Sequence, residues 1–304
     1  MVGKRVKAKQ KGKSKQSEAI TIGLDFGDKM SHYCALADDG EKVYEGKVAT
    51  SKQALAEVFG ALSRGRIALE VGTHSPWVSR LLASLGHEVI VANARQVKLI
   101  TQSSRKNDKL DAQTLARLAR VDPQLLRPIQ HRSEEAQQDL MVIRVRAALV
   151  EARTALINHA RGLVKAVGER LPKCDADNLE VERLSGLPAG LRGVLKPVLE
   201  EVESLTEKIH HSDQEIEQIA REKYPETELL RQVSGVGILI ALTFVLTVEN
   251  AERFQKSRDV GCYVGLRPRR SESGESQPQL GISKEGGIYL RKLLVQGAQI
   301  SHPR

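Results

Sequence analysis

The sequence predicts a mixed α/β domain followed by a long helical region. Short apolar, β-branched runs end at Asp25 and at Glu70, which is the pattern of core strands. Further along, apolar residues spaced alternately three and four apart recur from Leu195 to Ile219, which indicates a long amphipathic helix. With 304 residues, the chain is long enough for about two domains, each with its own core.

The elements of the α/β part follow one another in a definite order. Two strand-like runs at 32–37 and 42–48 follow the Asp25 strand, and a helix at 52–63 precedes the Glu70 strand. Another helix, a strand at Glu88–Ala92 and a last helix near Asp108 complete the series. This is the order of a ribonuclease H-like fold, specifically of its RuvC-like branch.

Four acidic residues stand at patterned positions in these elements. Asp25 and Glu70 end two strands, and Asp108 and Asp111 lie three apart on one face of the last helix. Each acid alone is more often structural, as a helix cap or a dipole partner. The ordered set favours a divalent-metal site, because hard carboxylate oxygens hold Mg²⁺ or Mn²⁺ for phosphoryl transfer.

The composition favours a nucleic-acid partner. The formal net charge is +9, and residues 1–17 contribute seven Lys or Arg and no acid, so we expect a disordered basic tail there. This tail lacks the apolar run of a signal peptide, and no stretch approaches the ~18 apolar residues of a membrane span. Aromatic residues make up only 3% of the chain, which argues against base-stacking platforms and favours contacts with the nucleic-acid backbone.

The three cysteines predict neither disulfides nor a zinc site. Cys34, Cys174 and Cys262 are scattered, and the histidines form no metal-ligand spacing with them. A reducing cytoplasm is therefore the expected compartment.

Two apolar-periodic runs, at 140–164 and 195–219, predict two long helices in the middle of the chain. The segment 168–193, which contains Pro172 and Pro188, interrupts them. An antiparallel hairpin or dimerising stalk with coiled-coil packing and an ordinary helical bundle fit this pattern equally well. The predicted division is a tail at 1–17, a RuvC-like domain at 18–135, a helical region at 136–223 and a C-terminal domain at 224–304.

The C-terminal region carries glycine turns and basic residues. Gly235 and Gly237 precede an apolar helix as in a helix–hairpin–helix, where glycines let backbone N–H groups approach a phosphate. A basic run then leads into the polar loop 271–276. A serine in such a loop is a candidate nucleophile, although most such serines only form hydrogen bonds within the loop. The predicted nucleic-acid contacts are Gly235, Gly237, Arg267, Arg269, Arg270 and Lys284.

Taken together, these motifs resemble the insertion-sequence-110 transposase family, whose members are RNA-guided recombinases. The resemblance covers nearly all of residues 18–300. It rests on the four acids, the run 105–112, the turn 234–237, the run 263–270, the Ser273-Gly274 loop and the turn 282–284. It implies a RuvC-like domain with a DEDD tetrad, a coiled-coil middle and a C-terminal transposase domain with a catalytic serine.

The family mechanism implies a role for each of these residues. Asp25, Glu70, Asp108 and Asp111 would bind Mg²⁺, and Ser273 would form a covalent phosphoserine link to a DNA end. Ser271 and Ser276 are the neighbouring alternatives to Ser273. The implied partners are donor and target DNA, a structured noncoding guide RNA and further copies of the chain, as dimers pairing into a tetramer. The implied location is the bacterial or archaeal cytoplasm, at the nucleoid.

Two other functions stay open at this stage. A metal-dependent nuclease or junction resolvase would use the same carboxylates with water as the nucleophile. A nucleic-acid-binding remnant without activity is the other alternative, because relatives usually continue with a further helical segment where this sequence stops. The sequence therefore also predicts a shortened copy.

Overall fold

The computed structural model describes residues 20–93, 108–269 and 278–301, and the side chains of Asp108 and Lys109 lie outside the described part. The basic tail at 1–17, Arg270 and the serines of the 271–276 loop also lie outside it. The chain divides between His131 and Arg132 into two compact units.

The first unit contains a five-stranded mixed sheet in the order β3-β2-β1-β4-β5. Its strands are Thr21–Asp25 (β1), Met30–Leu36 (β2), Lys42–Ala49 (β3), Arg66–Glu70 (β4) and Glu88–Ala92 (β5). The first three strands are antiparallel neighbours, whereas β1, β4 and β5 run parallel. All five strands were predicted from the sequence, and their ends agree to within two residues.

Helices cover both faces of this sheet. Lys52–Gly60 (α1) and Ser75–Ser84 (α2) lie on one face, and Asp108–Val121 (α3) lies on the other. The Ser51 side chain caps α1 by accepting a hydrogen bond from the Ala54 N–H at 3.3 Å. This helix ends at Gly60, three residues before the predicted end.

Alternate strand residues supply the cores on the two faces. Ile22, Leu24 and Leu69 pack with Phe59 and Leu82 beneath α1 and α2. The intervening residues face α3, where they pack against its row of small and apolar side chains. On this face, Cys34 and Leu36 contact Ala112 and Ala116, and Ala68, Ile90 and Ala92 contact Leu115 and Ala119.

The second unit begins with two long antiparallel helices, Glu134–Ala166 (α4) and Ala189–Lys223 (α5). Ile157 and Val164 near the end of α4 pack against Leu195 near the start of α5, and Ile143 packs against Ile216 near the other end. The predicted apolar seam is therefore buried within the chain itself, as an antiparallel helical hairpin. Coiled-coil geometry stays a prediction.

The buried positions of α5 differ in detail from the predicted seam. Val198 and Ile219 are only partly buried, while Leu199 and Ala220 are buried beside them. An unbent α-helix has 3.6 residues per turn, so the buried stripe drifts away from a strict 3.5-residue repeat.

In the described part of the second unit, four shorter α-helices follow: Thr227–Arg231 (α6), Ile238–Val248 (α7), Ser257–Tyr263 (α8) and Ile288–Ser301 (α9). Leu242 and Leu246 of α7 pack at the base of the hairpin. There Asp139 is buried, and it accepts hydrogen bonds from Lys223 at 3.1 Å and from the Tyr224 hydroxyl at 2.8 Å. Burial and then the Asp139 hydrogen bond raise the pKa of Tyr224, so this tyrosine stays neutral.

Within the described residues, no helix combines the length and the apolar character that crossing a bilayer requires.

Candidate active site

Two of the predicted acids lie at one edge of the sheet of the first unit. β1 and β4 are parallel neighbours in the register Gly23↔Ala68 and Leu24↔Leu69, and the next step of this register brings Asp25 beside Glu70. Asp25 follows Gly23 by two residues and Glu70 follows Ala68 by two, so both carboxylates are on the face that α3 covers.

The start of α3 lies over this edge because Gly23 leaves room for it. A β-carbon built on Gly23 would be 1.9 Å from the Ala112 carbonyl oxygen and 2.6 Å from the Ala116 nitrogen. The backbone of α3 therefore rests directly on β1, one residue after Asp111. Asp108 and Asp111, which were predicted to share one helix, are both in the first turn of α3.

We call Asp25, Glu70 and Asp111 the acid edge. All three are partly buried, and each makes polar contacts within the protein. Their carboxylate oxygens suit Mg²⁺ or Mn²⁺ chemically. Among the side chains that the structure describes, however, no three or more His, Cys, Asp or Glu residues group closely enough to hold a metal ion, and Asp108 lies outside that set. The metal site therefore stays a prediction.

A histidine that no sequence motif indicates lies next to this edge. His32 on β2 is directly opposite Asp25 in the antiparallel β1–β2 pair, on the same face of the sheet. Its partly buried ring thus continues the row formed by Asp25 and Glu70 across three strands. Only the strand register reveals this neighbour, because the spacing of seven residues matches no metal-ligand motif.

The serine loop of the second unit has its two ends fixed to each other. Arg269 N–H donates to the Gly281 carbonyl at 3.0 Å, and Ser283 N–H donates to the Arg267 carbonyl at 2.8 Å. An antiparallel bridge between Pro268 and Ile282 lies between these bonds. Ser273, Ser271 and Ser276 belong to the segment that this ladder closes, and their own positions lie outside the described residues.

The predicted basic contacts surround the base of this loop. Arg267, Arg269 and Lys284 are exposed there, and Arg270 lies outside the described residues. Lys284 has a φ of 57°, a conformation that is uncommon for a residue with a side chain, and its N–H donates to the Gly265 carbonyl at 3.1 Å. The tight turn therefore places an exposed lysine on the segment that pairs with the one carrying the two arginines.

The side chain of Arg291 on α9 forms hydrogen bonds to both segments at the base of the serine loop. Its side chain is buried, and Nη1 donates to the Val264 carbonyl at 3.0 Å and to the Glu285 carbonyl at 2.8 Å. A guanidinium is suited to this task because it offers several donors in a fixed plane. The two chain segments that flank the serine loop are thereby tied to one side chain.

We expect Arg291→Met to destabilise the second unit by about 3 kcal/mol, because the buried Val264 carbonyl and the partly buried Glu285 carbonyl lose a charged donor. Urea unfolding followed by circular dichroism measures this loss. Lys292→Met is the matched control, since Lys292 is the exposed neighbour on the same helix and should leave the unfolding midpoint unchanged. Equal midpoints for the two variants would show that Arg291 does not hold the loop base.

The two glycines of the predicted helix–hairpin–helix turn differ from each other. Gly235 has a φ of 81°, and a β-carbon on it would be 2.2 Å from the Gly297 carbonyl oxygen of α9, so close packing explains this glycine. Gly237 is exposed at the start of α7, and a β-carbon there would meet nothing within 4 Å. A phosphate contact stays a prediction for both, and Gly237 has the more open backbone.

Models of protein families match residues in both units of the chain. A model of the DEDD transposase of IS110 elements matches residues 22–168, which include the acid edge. A model described as the transposase of the IS116/IS110/IS902 family matches residues 227–304, which include the serine loop and its base. The chain belongs to the IS110 family of transposases. The two matches together cover residues 22–168 and 227–304 of one polypeptide.

Individual relatives agree with this membership. The transposase of insertion sequence element IS1111A from Coxiella burnetii is 27% identical, over 97% of this chain and 81% of the relative. The transposase of IS1328 from Yersinia enterocolitica is 28% identical, over 92% of this chain and 83% of the relative. A probable family 20 transposase from Pseudomonas aeruginosa is 28% identical, over 80% and 73%. The similarity therefore extends across both units.

Proposed function

We propose that this IS110-family transposase cuts and rejoins DNA at a site built from the acid edge and the serine loop. The observation that carries the proposal is the register of β1 and β4, which brings two strand-end carboxylates together under the first turn of α3. Asp25, Glu70, Asp108 and Asp111 would hold Mg²⁺ or Mn²⁺. The metal would neutralise charge on the phosphate that is attacked.

In this proposal Ser273 is the nucleophile. Its hydroxyl oxygen forms a bond to the scissile phosphorus and loses its proton. The bond from phosphorus to the leaving strand breaks, and the leaving oxygen takes up a proton. The resulting phosphoserine ester keeps the energy of the phosphodiester, so a hydroxyl at the end of another strand can attack it and release the serine. The exposed Arg267 and Arg269 support this role, since guanidinium groups stabilise the charge on a phosphoryl group.

The proposal includes the partners that the family resemblance implies. A structured noncoding RNA would select donor and target DNA by base pairing, and the protein would contact the backbone. Dimers that pair into a tetramer would bring the acid edge of one copy to the serine loop of another. The cytoplasm, at the nucleoid, is the proposed location. The low aromatic content and the net charge of +9 suit binding to a backbone rather than to stacked bases.

Complementation tests the shared site. An Asp25→Ala chain and a Ser273→Ala chain should each lack strand exchange, and a mixture of the two should recover part of it if acids and serine come from different subunits. The assay contains the element's RNA, its donor and target DNA and Mg²⁺. A mixture as inactive as its components would contradict a site shared between subunits.

Covalent capture of DNA tests the nucleophile. A labelled DNA end should remain attached to the wild-type protein through denaturing electrophoresis, and Ser273→Ala should abolish the attachment. Ser271→Ala and Ser276→Ala are the matched controls and should retain it. Strand cleavage without any adduct would instead indicate a metal-dependent nuclease or junction resolvase that uses water. DNA or RNA binding without cleavage under any metal condition would indicate a remnant without activity.

A further inference from the structure

His74, in the loop that follows β4, has a fixed orientation and contacts the loop that follows β1. We propose that His74 is a positioning residue that donates a hydrogen bond from Nε2 to a DNA backbone phosphate next to the one that is cut. This inference rests on the proposed function, because it assumes that DNA crosses the acid edge.

His74 lies at the same end of the sheet as the acids. It follows Glu70 by four residues, and it contacts Phe26 and Asp28, which follow Asp25. The loop that carries it is internally braced: Ser75 Oγ donates to the Gly72 carbonyl at 2.8 Å and accepts from the Gly72 N–H at 3.0 Å. Ser75 is fully buried, so the turn after Glu70 holds His74 in a defined place.

Trp77 fixes the proton on the imidazole. The indole Nε1–H of Trp77 donates to His74 Nδ1 at 3.2 Å. An indole nitrogen is only a donor, so Nδ1 acts as the acceptor and the neutral ring carries its proton on Nε2. The two rings also pack edge to face, with centroids 6.0 Å apart. The His74 ring therefore presents a single oriented donor, Nε2–H, next to the acid edge.

The position of Asp28 leaves this donor available for a ligand. Its Oδ1 is 3.9 Å from His74 Nε2, which is longer than a hydrogen bond, and its side chain is 92% exposed. The His74 side chain is 30% exposed, so a ligand can reach the ring. An oriented N–H donor at a site for phosphodiesters suits a non-bridging phosphate oxygen.

The geometry also explains why the contacted phosphate is not the scissile one. Asp25 and Glu70 of the acid edge face α3, whereas His74 lies at the start of α2, on the other face of the sheet. A DNA strand that crosses the edge of the sheet presents successive phosphates to the two faces. One phosphate then meets the acid edge, and a neighbouring one meets His74.

A competing explanation is that His74 only holds the β1 loop to the β4 loop through Asp28. The two explanations differ in what Asp28→Asn does. If His74 is a phosphate donor, this substitution removes a negative charge beside the DNA and leaves binding unchanged or tighter. If His74 is a latch, the same substitution weakens binding as much as the loss of the histidine does.

The experiment measures binding of a short fluorescein-labelled DNA duplex by fluorescence anisotropy, in the full-length chain with Ca²⁺ to prevent cleavage. We expect His74→Ala to weaken binding about tenfold, the value of one lost hydrogen bond to a charged group. His74→Gln should recover part of the affinity, since its amide N–H reaches a similar position. Trp77→Phe should weaken binding several-fold. The phenylalanine ring keeps the packing, but it has no N–H to fix the tautomer of His74. Equal melting temperatures identify variants that keep the fold.

Tryptophan fluorescence provides a second readout, independent of anisotropy. Trp77 is the single tryptophan of the chain, so its emission reports on the surroundings of His74. DNA should change this emission in the wild type and in Asp25→Ala, and His74→Ala should remove most of the change. A merely structural histidine would not produce this dependence.

The outcomes separate the inference from the proposed function. If the wild type binds and exchanges DNA strands while His74→Ala does so equally well, the inference is wrong and the proposed function stands. If Asp28→Asn matches His74→Ala, His74 is a latch and the inference is again wrong. If the wild type neither binds nor joins DNA, the proposed function itself fails. Weaker binding in His74→Ala with unchanged or tighter binding in Asp28→Asn supports the phosphate contact.

Discussion

Replacing Gly23 by valine should disable the acid edge more completely than most changes that spare the acids themselves. The new side chain would begin 1.9 Å from the Ala112 carbonyl oxygen, and the obstacle is backbone, which cannot rotate away. α3 would have to move off β1 by more than an ångström, at a cost of about 3 kcal/mol. A displacement of that size in a catalytic group lowers rates by about 100-fold, so strand exchange and DNA cleavage should both fall at least that far.

Gly72→Ala is the matched control for this prediction. Gly72 lies two residues after Glu70, but a β-carbon on it would meet nothing within 4 Å. The melting temperature and the strand-exchange rate of the Gly72→Ala variant should therefore stay close to the wild-type values. If Gly23→Val melts and reacts like Gly72→Ala, α3 does not rest on β1 as described.

The combined substitution Val202→Asp and Leu205→Asp should unfold the helical hairpin. Both side chains are buried, at 0% and 6% exposure, in the interface between α4 and α5. Two carboxylates without cationic partners would cost about 5 kcal/mol or more, which is comparable to the whole stability of a typical domain. Circular dichroism during heating and light scattering should show loss of helix and aggregation.

An exposed valine on the same helix provides the control. Val194 is 64% exposed, so Val194→Asp should change the melting temperature by less than the assay resolves. If the double substitution at 202 and 205 were equally harmless, the burial of this seam within the chain would be wrong. Loss of oligomers with an intact helical signal would indicate that the seam faces a second copy instead.

Local sequence patterns predicted the sheet of the first unit well. Each strand is a short apolar run bounded by turn residues, and the acids at the ends of β1 and β4 follow from the same pattern. The burial of the long seam was also predictable, since a period near 3.5 residues requires an apolar partner. The sequence left open whether that partner was another subunit or the same chain. Because α4 and α5 pack against each other, the partner of the seam is the same chain.

Other features depend on contacts between residues that are distant in the sequence. Nothing in the spacing of His32 and Asp25 signals a shared edge, because their proximity comes from the antiparallel register. The role of Gly23 depends on a helix almost ninety positions later in the chain. No sequence pattern distinguishes Arg291 from other basic residues near a helix start, and only its hydrogen bonds to the Val264 and Glu285 carbonyls reveal its structural role.

The number of residues in its two helices sets how far the helical hairpin extends. With 33 and 35 residues, its two helices each extend about 50 Å from a base where the chain enters and leaves at nearly the same place. Removing or adding seven residues in both helices together rotates the apolar stripe by only about 20° and moves the tip by about 10 Å. Insertion or deletion in matched pairs therefore changes how far the connecting segment 167–188 projects without repacking the base.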